Sequence, residues 1–155
     1  MKNLLIIFLL ISTLFADARQ NLSPEQTKQL VEAAEGDAIV LGTGEKKIYA
    51  FVDPYCRVSH AYVQSLFKSK ERMFSKYSTY LFFFELPRKH SAKMVSTIYM
   101  AKDPVRMIEE IMVHEKKLPE NPSPETEEKV KRIYKLAKTI GVHKRPYIII
   151  NGKAY

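Results

Sequence analysis

The chain carries one cysteine, Cys56, in the stretch Phe51-Val52-Asp53-Pro54-Tyr55-Cys56-Arg57-Val58-Ser59-His60. An apolar run over 48–52 precedes it and an amphipathic segment follows, so the thiol is expected on the first turn of a helix that leaves a strand. Unpaired backbone N–H groups and the positive end of the helix dipole meet there. Both favour the thiolate, the form that attacks disulfides. Ser59 occupies the place, three residues on, where a second cysteine would complete a redox pair. A free cysteine is often a small buried hydrophobe, and composition alone favours that reading. The strand-to-helix position tips the balance toward a reactive thiol. Cys56 and His60 are four residues apart, a spacing that two metal ligands on one helix face could use. No third or fourth ligand accompanies them, so no metal is expected. His60 then reads as a polar helix residue or a tuner of the thiol.

The elements that must position this thiol are punctuated clearly. Ser23-Pro24-Glu25-Gln26 has the form of a capped helix start, with the helix running to about Glu35 and stopped by Gly36. A short strand is expected over 39–41, a turn at Gly42-Thr43-Gly44, and a central strand over 47–52 that is apolar on both faces. Helical spacing continues from Cys56 to about Tyr77, and a third strand covers 79–86. Strand, helix and strand in this order make a βαβ unit. Residues 87–140 are mostly helical: one helix over 91–100, one opened by Asp103-Pro104, and one opened by Ser123-Pro124 and stopped by Gly141. Tyr147-Ile148-Ile149-Ile150 followed by Asn151-Gly152 predicts a strand and a hairpin turn.

The first residues read as an export signal. Lys2 is basic, residues 4–15 are almost wholly apolar, and Ala16-Asp17-Ala18 has the small-x-small form of a cleavage site. The apolar run is too short to span a bilayer. Residues 1–18 are therefore expected to be removed, leaving 19–155 as one domain with no stable membrane anchor. The net charge of +8 favours anionic partners in general. Its basic residues are scattered among glutamates with no aromatic-rich basic stripe, which speaks against nucleic acid. One cysteine also excludes an internal disulfide, so the odd thiol points to intermolecular pairing or reactivity.

The apolar strand, the segment Asp53 to His60, the helical insertion, and Val142-His143-Lys144-Arg145-Pro146-Tyr147 before a strand and an Asn-Gly turn together resemble the thioredoxin fold. Within it the chain is similar to the exported disulfide isomerases of the DsbC and DsbG type, over roughly residues 39–152. The resemblance implies an α/β thioredoxin-like fold with a central mixed sheet, helices on both faces and a helical insertion at about 88–140. It implies catalytic roles for Cys56 as the attacking cysteine, Ser59 in the place of the resolving cysteine, and Pro146 as the proline held in cis beside the thiol. Tyr55, Arg57, His60 and Arg145 would bind substrate, with the Arg145 backbone free to pair with an extended peptide. Arg57, Lys144 and Arg145 would bring positive charge toward Cys56. No cofactor is implied.

Three departures shape the expected function. Ser59 leaves no internal disulfide to store oxidising equivalents, so net dithiol oxidation or reduction is disfavoured, while isomerisation or mixed-disulfide exchange survives. The N-terminal dimerisation domain of those isomerases is expected to have no counterpart here. Tyr155 follows closely on the hairpin turn, so the usual last strand and final helix are expected to be missing or nearly so, and an uncovered sheet face is expected to seek a partner. The expected activity is a periplasmic monothiol exchange acting on disulfide-containing exported proteins or small thiols such as glutathione, with homo-oligomers possible. The competing reading is a catalytically weak thioredoxin-fold protein that binds polypeptides.

Overall fold

The computed structural model describes residues 22–155; the expected export signal at 1–18 lies outside the described residues. Ser23 opens α1 (Pro24–Ala33) with a reciprocal capping box: Gln26 N–H donates to Ser23 Oγ and Ser23 N–H donates to Gln26 Oε1. The helix ends before Gly36. A 3-10 turn over Glu35–Asp37 follows, and it turns the Glu35 carboxylate toward the Tyr49 hydroxyl and the Lys47 ammonium. The helix thus ends close to the stop expected at Gly36.

Five strands form one mixed sheet in the order β1-β3-β2-β4-β5. They are β1 (Ile39–Leu41), β2 (Lys46–Val52), β3 (Tyr77–Phe83), β4 (Tyr147–Ile150) and β5 (Lys153–Ala154). The β2–β3 pair is parallel and the other pairings are antiparallel. Ile48 to Val52 are buried without interruption, as a strand covered on both faces requires. The expected helix from Cys56 to Tyr77 is broken at Ser69 into α2 (Arg57–Lys68) and α3 (Lys70–Lys76).

Side chains alternate between two cores. On one face Ala50, Val52, Leu81 and Phe83 meet Val63 and Leu66 of α2, together with α4 (Ala92–Met100) and α5 (Pro104–Ile108). On the other, Tyr49, Phe51, Phe82 and Ile149 meet Val31 of α1 and Ile133 and Ala137 of α6 (Glu127–Ile140). Phe51 and Phe82 lie in register and stack with centroids 5.0 Å apart. Such a pair contributes about 0.5–1.5 kcal/mol beyond the burial of its rings. The element between α5 and the 119–122 loop is a π-helical turn, Glu109–Val113, rather than a continuation of α5.

The Asn151-Gly152 hairpin forms as the dipeptide predicts, both residues having positive φ. Gly152 is required for a second reason, because a Cβ there would collide with the Pro24 backbone at the start of α1. The third strand leaves the ladder at Phe83, three residues earlier than the apolar run suggests. The Phe84 and Glu85 carbonyls accept from Arg145, and Leu86 N–H donates to Asp53. Those partners lie at the candidate site.

Candidate active site

The turn between β2 and α2 is built on Asp53. Its carbonyl accepts from Cys56 N–H at 3.1 Å, and its Oδ1 accepts from Tyr55 N–H at 2.7 Å. Buried Pro54 supplies the fixed φ that the second position of such a turn favours. Cys56 is thereby placed as the N-cap of α2, its carbonyl accepting from His60 N–H at 3.0 Å. Its side chain makes no capping bond. The thiol stands at the helix N-terminus, where the dipole favours negative charge.

The loop before β4 closes on this thiol. The Arg145–Pro146 peptide bond is cis, and Cys56 Sγ lies 3.8 Å from the Arg145 carbonyl oxygen. Cys56, Pro146 and the Arg145 backbone are therefore brought together across 89 residues of chain. Cys56 is only 8% exposed, so a substrate sulfur must approach along the little surface it shows. Val58, 61% exposed, and Tyr55 supply apolar surface on the same turn and helix start.

Ser59 sits one helical turn from Cys56 and is fully buried. Its Oγ accepts from Asp53 N–H at 3.2 Å, tying the first turn of α2 to the end of β2. Arg57 is exposed on the helix surface. His60 donates from Nε2 to the Pro54 carbonyl at 2.6 Å, which holds the imidazole against the turn. The Tyr55 hydroxyl donates to Glu120 at 2.5 Å, and burial with this bond pushes its pKa up to about 12. Pro54, Tyr55 and His60 also form one wall of a groove of about 490 Å³, closed on its other side by Met94, Ile111 and Leu118.

The Arg145 side chain turns inward. Its guanidinium donates to the carbonyls of Phe84 at 3.0 Å, Lys144 at 2.9 Å and Glu85 at 3.4 Å, and lies 3.9 Å over the Phe84 ring. Burial pulls its pKa down to about 10, against the opposing influence of the Asp53 and Cys56 charges, which leaves it cationic at neutral pH. Its backbone, not its guanidinium, is what the site presents next to the thiol. Lys144 stays exposed.

Asp53 is the residue whose role motif reading passes over. It is fully buried, and its Oδ2 accepts from Leu86 N–H at 2.6 Å and from Ser91 Oγ at 2.8 Å. Asp-Pro is a turn-initiating dipeptide and signals the local bond to Tyr55. Nothing local signals the bonds to Leu86 and Ser91. Among the described residues no three His, Cys, Asp or Glu side chains converge as metal ligands would.

No protein-family model matches the chain, and no curated protein sequence matches it. Solved structures do. The catalytic domain of ScsC from Proteus mirabilis is 13% identical, with 84% of this chain and 88% of that one covered at a TM-score of 0.67. A disulfide interchange protein from Neisseria gonorrhoeae is 20% identical, with 78% and 85% covered at 0.61. A periplasmic thioredoxin-like protein from Salmonella enterica serovar Typhimurium is 14% identical, with 81% and 86% covered at 0.55. At these identities the likeness is one of architecture, and with the mixed sheet flanked by helices it makes the chain a thioredoxin-like fold.

Proposed function

We propose that the chain is an exported, periplasmic thiol-disulfide exchange protein that works through Cys56 alone, as a disulfide isomerase of the DsbC and DsbG type or in mixed-disulfide exchange. The observation that carries the reading is the approach of Cys56 Sγ to the Arg145 carbonyl, 3.8 Å away beside the cis Arg145–Pro146 bond, with the thiol at the N-terminus of α2. Structural neighbours described as a disulfide interchange protein and as a periplasmic thioredoxin-like protein support it.

In this reading Cys56 thiolate attacks one sulfur of a substrate disulfide. A Cys56–substrate disulfide forms, the substrate S–S bond breaks, and the released thiolate takes a proton from water. A second substrate thiol, deprotonated, attacks the substrate sulfur of that adduct, forms a new substrate disulfide and expels Cys56 as thiolate. No net oxidation occurs, so no second cysteine is needed at position 59. A small thiol such as glutathione can release a trapped adduct in the same way. The Arg145 backbone would pair with an extended substrate segment, and Tyr55, Arg57 and His60 would border it. Partners would be disulfide-containing exported proteins, with self-association open to measurement.

The test is recovery of activity by a scrambled disulfide substrate, with purified chain and with Cys56→Ala. Recovery that depends on Cys56 upholds the proposal. The shallow exposure of Cys56 favours a second reading, a polypeptide binder with an idle thiol. Binding of unfolded substrate that survives Cys56→Ala, with no isomerisation by either form, would decide for it.

A further inference from the structure

Asp53 holds both ends of a short basic loop. Its Oδ2 accepts from Leu86 N–H at 2.6 Å and from Ser91 Oγ at 2.8 Å, so residues 86 and 91 meet on one carboxylate oxygen. The 3-10 turn Pro87–Lys89 lies between them, closed by Lys89 N–H donating to the Leu86 carbonyl at 2.7 Å. His90 follows with a left-handed φ of 51°, uncommon for a residue other than glycine. The loop is thereby pinned to the residue that also builds the turn before Cys56. Arg88, Lys89 and His90 are all exposed.

The same end of the sheet carries further exposed cations. β2 and β3 run parallel with Val52 opposite Phe83, and β4 enters beside them with Tyr147 opposite Phe51. Arg57 opens α2 directly after Cys56, and Lys144 precedes Arg145 in the loop before β4. Among the described residues the ion pairs are made by Lys28, Lys47, Lys116, Lys131 and Arg132, and by none of Arg57, Arg88, Lys89 and Lys144. Asp53 and Arg145 are buried, and Glu85 is half-buried. Glu115 and Glu120 border the groove beside Tyr55 together with Lys116 and Lys117, and Glu120 accepts from the Tyr55 hydroxyl. Toward solvent this end of the sheet is cationic, and such a surface raises the local concentration of anions.

We propose that the Arg88-Lys89 turn, with Arg57 and Lys144, selects the substrate of this site, and that the substrate is a polypeptide disulfide flanked by Asp and Glu side chains. The cations stand on separate chain segments and share no common partner. That arrangement suits carboxylates spread along an extended chain rather than one small anion. Asp53 acts as a positioning residue, since its bonds to Leu86 and Ser91 fix where the turn stands. The inference rests on the reading of Cys56 as a nucleophile and adds what that nucleophile attacks.

The measurement is the rate at which Cys56 reacts with short cysteine peptides activated as pyridyl disulfides, alike in length and flanked by glutamate, glutamine or lysine. Cys56 thiolate forms a disulfide with the peptide sulfur, the peptide–pyridyl S–S bond breaks, and the released pyridinethiolate takes a proton from water. The ratio of two peptide rates in one protein cancels the thiolate fraction. At low salt the glutamate peptide should react about tenfold faster than the lysine peptide, and the ratio should shrink in high salt. Arg88→Glu with Lys89→Glu should abolish the preference. Lys46→Glu with Lys70→Glu makes the same change of net charge at the starts of β2 and α3, the other end of the sheet, and should keep it. Equal peptide rates in wild type, or a preference lost alike in both double variants, overturn the proposal. So does a preference for oxidised glutathione over cystamine with none among the peptides, which would assign the cations to a small anion.

A thiol that reacts with no peptide would refute the exchange reading and still leave the surface decidable in the unaltered chain. The glutamate peptide with serine in place of its cysteine should shift the amide resonances of residues 86–91 and of Lys144, and lose that effect in high salt. Shifts that are absent there, or confined to other residues, overturn the proposal.

Discussion

Ser59 is the position at which the site's geometry can be tested most sharply. Its buried Oγ accepts from Asp53 N–H at 3.2 Å, so Ser59→Ala leaves a backbone donor unpaired inside the protein. An orphaned buried donor costs about 1–3 kcal/mol. The long hydrogen bond argues for the low end, about 1–1.5 kcal/mol, which in a domain of this size lowers Tm by about 4 °C. Ser59→Cys keeps a weak sulfur acceptor and costs about 1 kcal/mol or less. That variant places a second thiol one helical turn from Cys56, the arrangement in which a mixed disulfide is resolved internally. Urea unfolding gives the stability terms, and reduction of insulin in the presence of dithiothreitol gives the activity. Ser59→Cys should gain reductase activity over wild type, while Ser59→Ala should keep whatever exchange activity wild type has. A folded Ser59→Cys protein that gains nothing would show that the helix start does not present Cys56 as a nucleophile. An unchanged stability in Ser59→Ala would remove the tie between α2 and β2.

Three other perturbations follow from single contacts. Tyr55→Phe removes the hydroxyl bond to Glu120 and should loosen the 115–120 loop, seen as faster amide exchange there with the global unfolding midpoint nearly unchanged. Arg132 makes a bidentate pair with Asp37 at 2.7 and 2.8 Å, and this bond holds the Asp37 carboxyl below the usual carboxylate range. Its stabilisation is complete above pH about 4, the unfolded carboxylate value, and is lost as pH falls through the lowered folded value. The stability difference between wild type and Arg132→Ala should therefore be present at neutral pH and vanish in acid, and a difference that persists in acid would contradict this assignment. Gly152→Ala forces a Cβ into a positive-φ turn and onto the Pro24 backbone, so a loss of about 2 kcal/mol or more in chemical denaturation is expected.

The parts of the fold that were legible are those whose causes are local. Asn151-Gly152, Gly141, the Ser23 capping box and the unbroken burial of Ile48 to Val52 each reflect a rule acting over a few residues. The juxtaposition of Cys56 and Pro146 was legible for a different reason: both stand at punctuation points of a recurrent architecture, so one motif implies the other. Ser91 shows the limit. It has the residue type of a helix cap, yet its hydroxyl goes to Asp53, 38 residues earlier in the chain. Arg145 shows it again, since its place before the proline suggests a cation turned toward the thiol, while the folded chain turns the guanidinium onto the carbonyls of Phe84 and Lys144.

These illegible contacts share a physical origin. A buried carboxylate must find donors and a buried guanidinium must find acceptors, wherever the fold brings backbone groups to them. The end of β3 provides both, because after Phe84 N–H donates to the Val52 carbonyl the strand has no further neighbour, and the Phe84 and Glu85 carbonyls and the Leu86 N–H need other partners. β2 ends at Val52, opposite Phe83, so no strand lies beside residues 84–86 to satisfy those groups in the sheet, and the two buried charges take them instead. The strand end and the buried charged pair are therefore coupled, and a single change at Asp53 should be felt at the strand end and at the start of the helical insertion together.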